Sequence, residues 1–171
     1  MARLFFALWP DEETRAKLDK VAQQFKNEKV SLVKKSNLHI TLEFLGEVSG
    51  EDQQALQNKV SKISGQPFDI ELTRVGWWQK PAILWIGTTH IPEPLTHLVK
   101  SIKKCVKQQG LKVDKRPYKP HVTIARKVKQ LFAPKDQFHI PWHINSFALI
   151  VSESIDGGVE YRVLKKWNLT N

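Results

Sequence analysis

The sequence predicts an α+β fold in which two similar lobes, built from antiparallel sheets with helices packed outside, line one central cleft. Three observations predict it. Strand-like alternation with a period of two is interleaved with three amphipathic helical stripes, the pattern of helices laid on one face of antiparallel sheets. The tetrapeptide His39-Ile40-Thr41-Leu42 is written again as His121-Val122-Thr123-Ile124, about half a chain length away. No low-complexity linker separates the halves, so residues 1–171 read as a single domain of two intertwined lobes.

The elements follow in order. Arg3 to Trp9 is a strand, and Asp11 caps a helix whose Leu18, Val21, Ala22 and Phe25 share one face. Val30 to Val33 leads into the first motif strand, where Leu38, Ile40, Leu42 and Phe44 alternate with His39, Thr41 and Glu43 until Gly46 closes it. A second helix runs from Ser49 to Ile63 and stops at Gly65-Gln66-Pro67. Phe68 to Trp77 and Ala82 to Thr88 form a hairpin across Gln79-Lys80-Pro81. Pro92 and Pro94 open a third helix with the stripe Leu95, Leu98, Val99, Ile102, Cys105 and Val106, and Gly110 ends it. The second motif strand follows Tyr118-Lys119-Pro120. Lys127 to His139 reads as a loop, and Ile144 to Ser152 and Tyr161 to Trp167 as strands around Asp156-Gly157-Gly158.

Composition narrows the function classes. A chain of 171 residues that is 41% hydrophobic can bury roughly 70% of its unfolded surface without staples. The lone Cys105 excludes an intramolecular disulfide and a cysteine-based zinc cluster, and its place on an apolar helical face makes it a small buried hydrophobe. The apolar run at the N-terminus is too short for a signal peptide, and no stretch reaches the length of a spanning helix. A soluble, cytoplasmic, monomeric protein with no membrane partner is expected. With 27 Lys and Arg against 17 Asp and Glu, the formal charge of +10 favours a polyanionic partner such as nucleic acid.

The repeated motif carries the chemistry. On a strand, the imidazole and the hydroxyl two residues on project from one face while the intervening aliphatic residues enter the core. Two such strands side by side present two imidazoles and two hydroxyls to one cleft. Histidine titrates near 6.5, so one copy can accept a proton while the other donates one near neutral pH. A cyclic phosphodiester attacked by water needs that pair, together with donors such as Thr41 and Thr123 to the nonbridging phosphate oxygens. Neither motif holds a second ligand at the i+2 position, and Pro141 breaks the helix that His139 and His143 would need, so neither a metal site nor a cofactor is expected. Arg126 lies five residues after His121, on the opposite face of an unbroken strand, and reaches the cleft only if the strand ends or bulges first. Tyr118 is a candidate for the cleft rim or for a structural hydrogen bond. Trp77, Trp78 and Trp85 can stack a base or pack the hairpin.

His39-Ile40-Thr41-Leu42 followed by Phe44-Leu45-Gly46, together with Pro120-His121-Val122-Thr123-Ile124-Ala125-Arg126, resembles the paired signature of the 2H phosphoesterase superfamily, and within it the bacterial RNA 2′,3′-cyclic phosphodiesterases, also called 2′-5′ RNA ligases. The resemblance extends to Arg3-Leu4-Phe5-Phe6-Ala7-Leu8, to Leu84-Trp85-Ile86-Gly87, and to the end of the chain from Ser152-Glu153-Ser154 through Tyr161 to Trp167.

That resemblance implies pseudo-twofold symmetry, with the active site in the groove between lobes. It implies His39 as general acid for the leaving 3′ oxygen, His121 as general base for water, and Thr41, Thr123 and Arg126 as phosphate ligands, with a 2′-phosphomonoester as product. The substrates implied are RNA ends or nucleotides bearing a 2′,3′-cyclic phosphate, with ligation as an accompanying activity. The segment after Arg126 is short for the family. Two other functions fit the same residues: a cyclic phosphodiesterase acting on small nucleotides or 2′-5′ oligonucleotides, and a basic RNA-binding module without turnover.

Overall fold

The computed structural model describes residues 1–131 and 133–170. Among them are ten strands: β1 Ala2–Leu8, β2 Ser31–Leu32, β3 Ile40–Val48, β4 Phe68–Leu72, β5 Arg74–Trp78, β6 Ile83–Gly87, β7 His121–Arg126, β8 Ile140–Ile144, β9 Ser146–Ile155 and β10 Gly158–Asn168. Three helices, α1 Glu12–Gln23, α2 Gly50–Val60 and α3 Glu93–Gln108, lie among them.

Each helix starts and stops where local chemistry dictates. The Asp11 carboxylate accepts from the Thr14 amide at 2.8 Å and Ser49 from the Asp52 amide at 3.1 Å, satisfying amides that the first helical turn leaves free. Pro94 sits in the first turn of α3, where a missing N–H costs nothing. After α3 the chain turns away through Gly110 at φ 80°, a left-handed conformation suited to a residue without Cβ.

The strands form two antiparallel sheets. The larger has the order β10-β9-β1-β3-β7-β6-β5, with β2 added alongside β7; the smaller is β4 with β8. The larger one is two half-sheets joined at a single pair, Ile40 with Val122. Around that pair the chain repeats itself. β1, α1 and β3 form a strand, a helix and an antiparallel motif strand, and β6, α3 and β7 do the same. β9 then flanks β1 as β5 flanks β6, and β4 pairs with β8 across the pseudo-twofold axis. Only the first repeat carries a helix after its motif strand. The corresponding stretch, 127–139, contains none among its described residues, as its loop-like sequence predicts; Phe132 lies outside the described residues.

One face of the large sheet is covered. α3 packs on β3, α2 on α3 and α1 on β8, enclosing Leu4, Phe6, Leu8, Ile40, Leu42, Leu84, Ile86, Val122 and Ile124 in the main core. Cys105 is among these buried residues. The opposite face of the sheet is the cleft.

Three differences from the sequence reading have physical reasons. Phe68 to Trp77 is not one strand: it breaks at Thr73, and its two parts join different sheets. Strand β8 was hidden by Pro141, which as a member of a two-stranded sheet needs no ladder N–H on its free side; Ile140, Trp142 and Ile144 alternate inward around it. Gly46 does not end its strand but lies within β3 at φ 72°, beside a register shift against β1.

Candidate active site

The unpaired face of the large sheet forms a cleft of about 800 Å³ whose walls include His39, Thr41, His121, Thr123 and Arg126. The two histidines are anchored identically. His39 Nδ1 donates to the Asn37 carbonyl at 2.7 Å, and His121 Nδ1 donates to the Lys119 carbonyl at 2.7 Å, each two residues upstream. Because a carbonyl can only accept, both Nδ1 atoms carry the proton in the neutral rings, and each Nε2 is left as the basic atom. The two sites then differ. Thr41 donates its hydroxyl to His39 Nε2 at 2.8 Å, whereas among the described residues His121 Nε2 has no such partner.

Aromatic rings enclose both imidazoles. His39 lies 4.8 Å from Phe5, 5.3 Å from Tyr161 and stacked 6.0 Å from Trp9. Burial pushes it down to about 4, helped by the charges of Arg15, His121 and Arg126 and opposed by its bond to Asn37. His121 meets Trp78 edge-on at 4.6 Å and Trp85 at 6.3 Å; burial lowers it too, and the charge of Arg116 adds to the effect. Trp85 lies flat on the sheet because Gly76 and Gly87 flank it: a Cβ at either position would fall inside the indole's van der Waals surface. Trp77 turns the other way and donates Nε1 to the Val128 carbonyl at 2.9 Å, so of the three tryptophans only Trp78 and Trp85 stand beside a motif histidine.

Arg126 reaches the cleft by the route its position requires. Trp85 pairs with Thr123 and Leu84 with Ala125, so Ile124 is an extra residue in β7. Across this bulge Ile124 and Ala125 both enter the core, the alternation resets by one, and Arg126 emerges on the same face as His121 and Thr123. The first motif has the same device. Phe6 pairs with Glu43 and Ala7 with Thr41, so Leu42 is the extra residue and Leu42 and Glu43 are both buried.

That bulge removes Glu43 from the face on which alternation would place it. Its carboxylate instead takes Lys103 Nζ at 2.6 Å and the Asp114 amide at 2.7 Å in the core. Tyr118 does not line the cleft. Its hydroxyl donates to the Thr41 carbonyl at 2.9 Å and its ring packs against the main core, so the structural hydrogen bond takes the place of the cleft-rim position. His139 and His143 stand apart from the cleft, beside Glu71 at 3.4 Å and Asp69 at 2.7 Å on the small sheet. Among the described residues no three His, Cys, Asp or Glu side chains gather as a metal site would require, and no helix is long and apolar enough to cross a membrane.

Two buried polar residues hold the first motif in place without any sequence signal having marked them. Arg15, on α1, donates Nη1 to the carbonyls of Lys35 at 2.8 Å and Leu38 at 2.9 Å, with its guanidinium 4.7 Å over Trp9. Asn37 donates Nδ2 to the Val159 carbonyl at 2.9 Å and accepts the Tyr161 amide at 3.1 Å, tying the residue that anchors His39 to the edge of β10.

A duplicated two-lobe sheet with paired His-x-Thr strands on one cleft defines a phosphoesterase of the 2H type. The family described as LigT like Phosphoesterase matches the chain twice, over residues 8–85 and 86–161, and the chain belongs to that family. The boundary between the two matches falls within β6, the first strand of the second structural repeat. The chain is 32% identical over 170 residues to the RNA 2′,3′-cyclic phosphodiesterase of Escherichia coli (strain K12), covering 98% of this chain and 97% of the relative. It is 32% identical over 177 residues to the protein of that name from Methanocaldococcus jannaschii, covering 96% and 99%. The structure of E. coli LigT complexed with 3′-AMP superposes with a TM-score of 0.92 at 31% identity, covering 99% of both chains.

Proposed function

We propose that this protein opens 2′,3′-cyclic phosphates on RNA ends, leaving a 2′-phosphomonoester, by metal-independent acid-base catalysis with two histidines. The observation that carries this reading is the matched anchoring of His39 and His121, which leaves both Nε2 atoms basic on the walls of one cleft that also holds Thr41, Thr123 and Arg126. In the proposed step His121 takes a proton from water as its oxygen bonds to phosphorus. The bond from phosphorus to the 3′ oxygen breaks, and His39 gives that oxygen its proton, each transfer contributing typically 10²–10⁴-fold. Thr41, Thr123 and Arg126 hold the nonbridging oxygens as charge redistributes. With a 5′-hydroxyl in place of water, the same transfer joins two ends through a 2′-5′ linkage.

Burial holds His39 neutral around pH 7, and the substrate supplies the missing proton affinity. A phosphodiester anion beside the imidazole favours the charged form, opposing the desolvation that lowers it. RNA ends are favoured over small nucleotides by the net charge of +10.

The test is incubation in EDTA, from pH 3.5 to 9, with a nucleoside 2′,3′-cyclic phosphate and with an oligoribonucleotide ending in one. Hydrolysis to the 2′-phosphate with a bell-shaped pH dependence is expected. A 3′-phosphate product or an absolute need for a divalent metal would overturn the mechanism. RNA affinity without turnover, unchanged in His39→Ala and His121→Ala, would identify a binding module instead.

A further inference from the structure

Beyond Ile40 and Val122, β3 and the chain leading into β7 no longer pair. Side chains bridge them instead. The Tyr118 hydroxyl donates to the Thr41 carbonyl and the Asp114 amide to the Glu43 carboxylate. Residues 113–119 therefore run along the edge of β3, with the cleft on one face of the sheet and α3 on the other. Between this segment and α3 lies a second groove, of about 490 Å³. Its walls hold five cations: Lys100, Lys103 and Lys107 from α3, with Lys115 and Arg116 from the segment. Two are matched by carboxylates, Lys103 by Glu43 and Arg116 by Asp114, each at 2.6 Å. Among the described residues Lys100, Lys107 and Lys115 have no carboxylate partner, and all three are exposed. Lys103 and Lys107 stand one helical turn apart and repel each other, and Lys100 on the same face adds to the repulsion, so folding alone disfavours the arrangement. The helix dipole accounts for Lys107 in the last turn of α3, but not for Lys100 in the middle or Lys115 beyond the helix.

We propose that this groove carries the phosphates of the single-stranded RNA that precedes the terminal nucleotide, a role that rests on the phosphodiesterase reading above. A cyclic phosphate ends its strand on the 3′ side, so the rest of the RNA has to leave the cleft over one of its rims. The rim made by residues 113–119 joins the cleft to the groove directly. Tyr118 lines the groove and bonds to Thr41, which lines the cleft. Arg116, also in the groove wall, is near enough for its charge to lower His121. From that junction the basic face of α3 continues from Lys100 to Lys107, a span of ~10 Å at 1.5 Å per residue. Lysines on flexible stems act as point charges toward phosphate and read no base edge, so the groove holds a strand of any sequence.

The experiment removes three charges together, Lys100→Gln, Lys107→Gln and Lys115→Gln. The parent is compared with this variant and with a control of equal charge, Lys20→Gln, Lys26→Gln and Lys62→Gln, at exposed positions outside the groove. Fluorescence anisotropy over a salt series measures binding of a 5′-labelled oligoribonucleotide of about 12 nucleotides ending in a 2′-phosphate. Calorimetry measures binding of adenosine 2′-phosphate, which has no upstream strand. Each lost contact to a single strand takes ~0.7 from the slope of log affinity against log salt, so three lower the slope by about 2 and the oligonucleotide affinity by about 50-fold at ~0.15 M salt. That loss should exceed any change for adenosine 2′-phosphate, and any change in the control, by at least about tenfold. An unchanged slope, an equal loss for the mononucleotide or an equal loss in the control would overturn the groove. Turnover of a nucleoside 2′,3′-cyclic phosphate keeps the two readings apart. Lysine-dependent binding by a protein that hydrolyses no cyclic phosphate supports the groove while overturning the reaction, and turnover with an unchanged slope overturns the groove alone.

Discussion

Replacing His39 by Asn should flatten the dependence of stability on pH. In the folded protein burial holds this imidazole at about 4, and in the unfolded chain it returns to about 6.5. Between those values the unfolded chain binds a proton that the fold does not, so stability rises with pH through this window. The contribution is complete above pH 6.5 and is lost as pH falls toward 4. At 1.36 kcal/mol per pH unit the whole effect is at most about 3 kcal/mol, most of it lost between pH 7 and 4.5. His39 is half-buried and lines the cleft, so solvent screening trims the effect below this figure. Asn keeps a side-chain N–H for the Asn37 carbonyl and does not titrate. Urea unfolding followed by tryptophan fluorescence at pH 7, 5.5 and 4.5 measures the difference. The parent should lose about 2 kcal/mol more than His39→Asn over this range, with the His121 contribution cancelling because both proteins carry it. Parallel curves for the two proteins would refute the assignment of a buried, neutral His39.

Other expected outcomes test the site and its supports. In the hydrolysis assay His39→Ala and His121→Ala should each lower kcat by about 10²–10⁴-fold, and a loss below tenfold in either would remove that residue from proton transfer. Both limbs of the kcat/KM profile should fall below pH 6.5, because both histidines are depressed in the free protein. The kcat profile, which reports the complex, should lie at higher pH because the bound anion raises both groups, and coincident profiles would contradict this. Glu43→Ala strands Lys103 and the Asp114 amide beside the core and should cost about 3 kcal/mol in urea unfolding, against a fraction of that if the pair is merely a surface contact. Gly76→Ala should cost about 1–3 kcal/mol by forcing the Trp85 indole off the sheet, and much less in a Trp85→Ala background.

What the sequence determined by itself was whatever depends on near neighbours along the chain. Strand alternation, helix caps and the glycine after α3 are local, and the repeated His-x-Thr exposed the duplication because a repeat is visible without knowing what it contacts. Those signals were enough to place both histidines and both threonines on candidate strand faces and to locate all three helices. The tertiary structure decided which face a residue occupies after a bulge, since one extra residue opposite a neighbouring strand reverses the alternation and no local pattern marks it. That single effect sends Glu43 into the core and brings Arg126 and Phe44 into the cleft. Long-range polar partners were equally hidden: Asn37 meets β10 more than 120 residues away in the chain, and Tyr118 lies under Thr41 because burying its hydroxyl required an acceptor that only the folded strand provides.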